Sequence, residues 1–240
     1  MNIANIEDLA YLLRQAKKEG LPQPIVFLGA GASKTGGVPL AHDIVKDILE
    51  IYKENPKVKA LPEEAKSYSK LMECLTPFER NKLLKSYIDN AKINVTHIYL
   101  AQFMIEGYVD YVLTVNFDNL MLRALALFNN FPATYDMAIL KDLTTTNFKE
   151  KSVVYLHGQH HGLWLLNTKE EMNKVNEVIP PILNSIKDRR PWIFIGYSGE
   201  DPIFEHILKL GRFDNGLYWV TYKDNNPNNA ARCTNAGCSG

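Results

Sequence analysis

Apolar and polar positions recur along this chain with two periods, one helical and one that marks short buried strands. Over residues 6–20, Leu9, Leu12, Leu13 and Ala16 fall at helical spacing and Gly20 supplies a stop, which predicts a first helix. Pro22 and Pro24 break the chain. The run Pro24-Ile25-Val26-Phe27-Leu28 is apolar on both faces, as a buried parallel strand requires. A glycine-rich stretch from Gly29 to Pro39 follows, and residues 40–52 return to the helical period through Ile44, Val45, Ile48 and Leu49. Strand, glycine loop and helix make half of a βαβ unit.

Residues 53–90 are more polar and carry helical fragments around Pro56, Pro62 and Pro77, which predicts an inserted helical subdomain and not a sheet core. Residues 96–106 read as a helix. Residues 108–114 form a second strand candidate that ends in Val115-Asn116-Phe117-Asp118, and residues 121–128 read as helix. Residues 152–156 make a third strand ending at His157-Gly158. Residues 169–186 are helical in period, with Pro180-Pro181 as an interruption. Residues 192–195 make a fourth strand ending at Gly196-Tyr197-Ser198-Gly199, Pro202 starts a helix over 203–210, and 217–222 make a fifth strand. The expected fold class is α/β: a Rossmann-like parallel sheet with helices on both faces and a small helical insertion at about 53–105. One domain is expected over 1–224. Residues 225–240, rich in Asn, Ala and Gly, read as a disordered tail or a truncated end.

Composition narrows the class of partner. Apolar residues make up 46% and charged residues 22%, as in folded globular proteins. Lys+Arg and Asp+Glu are both 27, so the formal charge is zero. A protein that wraps nucleic acid draws its affinity from a basic surplus, and a direct nucleic-acid partner is therefore not expected. Cys74, Cys233 and Cys238 form an odd set without Cys-x-x-Cys spacing, which points to a reducing, cytoplasmic compartment and away from a disulfide framework or a structural zinc. Glu7 and Asp8 stand where a signal peptide needs bases, and the sequence has no apolar run of bilayer length, so no membrane association is expected.

The candidate chemistry sits where strands end. Gly29-Ala30-Gly31-Ala32-Ser33, Thr114-Val115-Asn116-Phe117-Asp118, His157-Gly158 and Gly196-Tyr197-Ser198 each follow an apolar strand. In an open α/β sheet, ligands bind at the carboxyl ends of strands, so these turns are expected on one edge. Gly29 and Gly31 admit backbone angles closed to other residues and let phosphate oxygens approach, Ser33 offers a hydroxyl, and the next helix points its positive end at an anion. A Gly-x-Gly also serves a tight strand–loop connection, and Lys34 lacks the spacing of a P-loop. Asn116 and Asp118 suit helix capping as well as binding. His157, His160 and His161 could mark a polar loop, and as a metal site they lack an acid or cysteine at ligand spacing, so no metal is expected. Asp201 before Pro202 reads as a helix cap. Trp164, Trp192 and Trp219 read as core or interface residues, and Arg189-Arg190 as a solvated turn.

Taken in order, the four turns together with Gly37-Val38-Pro39 resemble the motifs of the Sir2 (sirtuin) superfamily, over about residues 24–222. Two departures bear on activity. Sirtuin deacylases carry two Cys-x-x-Cys pairs after the catalytic His, whereas residues 158–191 contain no cysteine. The Phe-Arg of the deacylase loop is replaced by Leu40-Ala41-His42-Asp43. The pattern is similar to prokaryotic Sir2-like domains that hydrolyse NAD, many of them in anti-phage defence.

What the resemblance implies is an NAD+ hydrolase that releases nicotinamide and ADP-ribose, with NAD as substrate. The bond from ribose to nicotinamide leaves an oxocarbenium-like centre, so the site has chiefly to position a nucleophile and stabilise charge. The family's ribose-side Asn and His fall on Asn116 and His157: Asn116 would orient the attacking water or the ribose hydroxyls, and His157 would accept a proton. Asp118 would bind the nicotinamide carboxamide, Gly29, Ala30, Gly31, Ala32 and Ser33 the pyrophosphate, and Gly196 and Ser198 the adenosine side or the phosphates. The alternatives are a module that senses NAD or ADP-ribose without cleaving it, and an NAD-dependent deacylase or ADP-ribosyltransferase. An NAD hydrolase in a living cell needs restraint, which implies a homo-oligomer, a regulatory partner protein or a further domain.

Overall fold

The computed structural model describes residues 5–139, 148–159, 179–211, 213 and 215–220. Its strands are β1 (Ile25–Leu28), β2 (Tyr111–Thr114), β3 (Ala133–Asp136), β4 (Ser152–Tyr155), β5 (Trp192–Ile195) and β6 (Leu217–Val220). All five pairings are parallel, in the order β3-β4-β2-β1-β5-β6. The chain leaves β1 for β2 on one side and later returns to β5 on the other, so the order reverses at β1. The crevice above such a reversal is where α/β sheets take their ligands. Leu28 lies level with both Thr114 and Ile195, and Thr114 lies level with Tyr155. The ends of β4, β2, β1 and β5 are therefore contiguous and aligned, and the expected gathering of four turns on one edge is met.

Helices cover both faces. The described helices are α1 (Ile6–Lys18), α2 (Gly31–Lys34), α3 (Ala41–Ile51), α4 (Pro56–Ala60), α5 (Tyr68–Cys74), α6 (Pro77–Asn90), α7 (Val95–Ile105), α8 (Leu120–Leu127), α9 (Ile179–Ile186) and α10 (Ile203–Leu208). Alternate strand residues divide the core by the two-residue period of a strand. Ile25, Phe27, Leu113, Val154 and Phe194 pack with α9 and α10, and Val26, Leu28, Val112, Val153 and Tyr155 pack with α7 and α8. A third cluster, with Ile44, Ile48, Val58, Leu71, Leu84 and neighbours, joins α3 to α6 into a helical layer. Thr76 and Glu79 start α6 with a reciprocal capping box ahead of the expected breaker Pro77, which sits in the first turn where it costs no hydrogen bond. No described helix is long and apolar enough to cross a membrane.

Two expectations change. Strand β3 was not foreseen: it is a four-residue edge strand with one buried position, too short and too exposed to show a pattern. Pro180 and Pro181 lie in the first turn of α9, and residues 169–178, the rest of the expected interrupted helix, lie outside the described residues. Arg190 is not a solvated turn residue. It is 8% exposed and pairs with Asp110, donates to the Gln23 carbonyl at 3.0 Å, and reaches Glu150 Oε1 at 2.7 Å. Asp110 also accepts the Gln23 N–H at 2.9 Å, so this cluster clamps the chain just ahead of β1, β2 and β5, at the end of the sheet opposite the four turns. Trp192 is fully buried and Trp219 stacks on Phe194 at 4.6 Å, as core residues should; Trp164 and the 225–240 segment lie outside the described residues.

Candidate functional site

The first turn is locked to the fourth. A Cβ on Gly29 would lie 2.5 Å from Tyr197 Cα, and one on Gly31 would lie 2.9 Å from Gly196 Cα. Gly196 has φ +63°, and its own Cβ would meet Ala32 N at 2.1 Å. The glycines are thus required because two loops pass backbone against backbone. The N–H groups of Gly29 and Gly31 donate to Ile195 O at 3.0 Å and Gly196 O at 2.8 Å, while those of Ala32 and Ser33 donate to Gly29 O and Ala30 O. Among the described residues this leaves the Ala30 N–H of the loop, and Ala30 is exposed.

Asn116 extends this lock from β2. Its Nδ2 donates to Gly29 O at 3.0 Å and to Ser33 Oγ at 3.1 Å, and its backbone N–H donates to Thr114 Oγ1 at 3.0 Å. Both donors of the carboxamide are used. Its Oδ1 is buried without a hydrogen-bond partner. Ser33 is fully buried, so its hydroxyl is part of the floor under the loop.

Asp118 follows two residues on. Its Oδ1 accepts Leu120 N–H at 3.0 Å and so caps α8, while Oδ2 is buried without a partner. The capping and binding readings of this residue are compatible, one per oxygen. Tyr155, at the end of β4, is fully buried, and burial reinforced by the charges of Asp118 and Asp136 holds its hydroxyl well above the ordinary phenol range. His97 on α7 is also buried, and burial lowers its pKa while Asp118 pulls it up. Its Nδ1 meets Asn94 Oδ1 at 2.8 Å, and Asn94 Nδ2 donates to Ala32 O at 2.7 Å. His97 thereby braces the back of the glycine loop, a link that the sequence reading missed.

His157 lies beyond β4, on a turn tied to β3: Asp136 Oδ2 accepts Gln159 N–H at 3.1 Å and Oδ1 accepts Ala138 N–H at 3.0 Å. Burial raises the Asp136 pKa against these bonds. His157 Nε2 stands 3.3 Å from Asp201 Oδ2 but is not aligned for a hydrogen bond. Since β4 and β5 are separated by β2 and β1, the segment after β5 must arch back over two strand ends to make this contact. Asp201 does act at a helix start, as expected, with Oδ1 accepting Ile203 N–H at 2.9 Å. The pairing with His157 was not legible because 43 residues intervene in the chain and two strands in the sheet. Ser198 is exposed on the same segment. His160 and His161 lie outside the described residues. A groove of about 520 Å³ bordered by Tyr52, Asn55, Lys57 and Glu79 belongs to the helical layer, and no strand-end residue lines it.

The family model for a SIR2-like domain matches residues 110–236. NAD(+) hydrolase ThsA from Cytobacillus dafuensis is 27% identical over 201 residues, covering 76% of this chain and 37% of ThsA. The chain thus spans well under half the length of that relative. A sirtuin solved to explain substrate affinity superposes with a TM-score of 0.51 at 17% identity, over 91% of this chain and 88% of that one. A Sir2 mutant solved with a p53 peptide and NAD gives 0.50 at 17% identity, over 90% and 86%. At that identity the likeness is one of fold: the parallel sheet and its helices are sirtuin-like.

Proposed function

The chain belongs to the SIR2-like domain family, and from that premise we propose that it is an NAD+ hydrolase, releasing nicotinamide and ADP-ribose. The observation that carries this reading is a pair of buried acceptors without partners, Asn116 Oδ1 and Asp118 Oδ2, at the end of one strand beside the order reversal of the sheet. Unpartnered buried acceptors are costly, so the site favours a ligand that brings donors to both. A nicotinamide carboxamide supplies N–H groups to Asp118. A water or ribose hydroxyl supplies an O–H to Asn116.

In the reaction, water oxygen bonds to the anomeric carbon as the bond to nicotinamide breaks, and the bonding pair leaves with the nicotinamide nitrogen. The departing ring is neutral, so the nucleophile needs placing more than forcing. Asn116 Oδ1 accepts one hydrogen of the water and turns its lone pair to the ribose; His157 takes the other proton. The Gly29–Ser33 loop forms the wall for the pyrophosphate, with Ala30 N–H the donor it still offers, and Gly196 and Ser198 flank the other side. The sequence likeness to an NAD(+) hydrolase supports hydrolysis, and the motif pattern supports a role in anti-phage defence through NAD depletion. Such an activity calls for restraint by self-assembly or a regulatory partner.

Substituting Asn116→Ala and His157→Ala separately tests the assignment. Each lowers nicotinamide release by about two orders of magnitude or more, the usual worth of a positioned general base or orienting group. Unchanged turnover in both variants would sink it.

A further inference from the structure

The proposed hydrolysis uses the His157 imidazole, which leaves two matters to the geometry: which nitrogen acts, and what holds the ring. Nε2 is buried and faces Asp201 Oδ2 at 3.3 Å. The side chain as a whole is 15% exposed, and that exposure lies on atoms other than Nε2. Asp201 is not free to swing. Its Oδ1 holds the Ile203 N–H at 2.9 Å and its backbone carbonyl holds the Phe204 N–H at 2.9 Å, fixing the carboxylate at the start of α10. An ionised carboxylate only accepts hydrogen bonds, so a neutral imidazole facing it is complementary only when Nε2 carries the hydrogen. The Tyr197 hydroxyl, buried nearby and held above the ordinary phenol range by burial and by the Asp201 charge, has no partner and leaves Oδ2 to the histidine.

Resting on the hydrolase reading, we propose that Asp201 is a positioning residue that keeps the His157 proton on Nε2, so that Nδ1 is the bare nitrogen that accepts the proton of the attacking water. As the oxygen–carbon bond forms and the bond to nicotinamide breaks, that proton passes to Nδ1. The product imidazolium then faces the Asp201 carboxylate through Nε2–H. The loose alignment fits a ligand-free site, where such bonds are commonly long and tighten in the substrate complex.

The test is Asp201→Asn, read by nitrogen-15 NMR of His157 and by steady-state kinetics. Asparagine keeps the oxygen that accepts the Ile203 N–H and is an equally good cap, so the fold is retained. It also offers an N–H to Nε2, which moves the hydrogen to Nδ1 and blocks the base. The expected result is an Nε2–H tautomer in the unsubstituted protein and an Nδ1–H tautomer in the variant. The kcat for nicotinamide release falls roughly 100-fold with KM little changed, a smaller loss than the ~10⁴ that follows a wrong tautomer in serine proteases, because this pair is partly exposed. An Nδ1–H tautomer in the unsubstituted protein, a tautomer unmoved by the substitution, or an unmoved kcat overturns the proposal. If the unsubstituted protein releases no nicotinamide, the hydrolase reading fails, and the nitrogen spectra still decide whether Asp201 sets the tautomer.

Discussion

Asn116 donates one carboxamide to both Gly29 O, at 3.0 Å, and Ser33 Oγ, at 3.1 Å, so a side chain at the end of β2 ties down the loop at the end of β1. The residue assigned to the reacting ribose is therefore also a brace. Asn116→Ala leaves two buried acceptors without that donor and costs about 1–3 kcal/mol of stability along with the activity. Thermal melts beside nicotinamide assays check this; a variant that loses turnover at unchanged Tm contradicts the bracing role.

The backbone contact between Gly31 and Gly196 makes a second prediction. Gly196→Ala forces a side chain into positive φ and against Ala32 N, and destabilises by at least ~2 kcal/mol, strain and overpacking combined. By contrast Gly37→Ala, also at positive φ but with open space around it, costs only the conformational strain of about 1 kcal/mol. Denaturant titrations of the two variants should rank in that order, and equal losses would refute the interlocked-loop account.

At the far end of the sheet, Arg190→Ala leaves the buried Asp110 carboxylate with only the Gln23 N–H, and Asp110→Ala leaves the guanidinium to Glu150 and the Gln23 carbonyl. Either change costs about 3–5 kcal/mol, the usual penalty for breaking a buried pair. The cluster lies at the amino ends of the strands, so nicotinamide release per folded molecule stays within about twofold. A large fall in specific activity of the folded fraction would show that the clamp is not purely structural.

His97 sets a pH dependence. Burial lowers its pKa from the ordinary 6.5, so the unfolded chain binds a proton there more readily than the folded one. The stability it contributes is complete above pH 6.5 and is lost as pH falls from that value toward the folded pKa. His97→Gln removes the titration. Between pH 7.5 and pH 5 the Tm of the unsubstituted protein falls more than that of His97→Gln; a smaller fall reverses the sign and rejects the argument.

The sheet was largely legible because four of its strands are near-continuous apolar runs that need burial on both faces. The polar turns after them were legible as one edge because parallel strands in register end together. β3 escaped since an exposed edge strand carries no such run. Arg190 was misread because a charged pair of residues looks alike whether solvated or buried; only the partner, Asp110, distant in sequence, distinguishes them. The Gly29–Ser33 loop was read as a phosphate cradle, yet four of its five N–H groups are spent inside the protein, those of Gly29 and Gly31 on holding β1 to β5 and those of Ala32 and Ser33 on the loop's own turn. Asp201 was legible as a helix cap, while its second oxygen, facing His157, depended on how the segment after β5 crosses the sheet.

The central claim is that this chain cleaves NAD with water. Incubation with NAD at neutral pH, without any acylated peptide, and chromatography of the products tests it most directly. Nicotinamide and ADP-ribose in equal amounts are the predicted result. NAD recovered intact while calorimetry registers its binding, or release that occurs only when an acyl-lysine peptide is added, would contradict it.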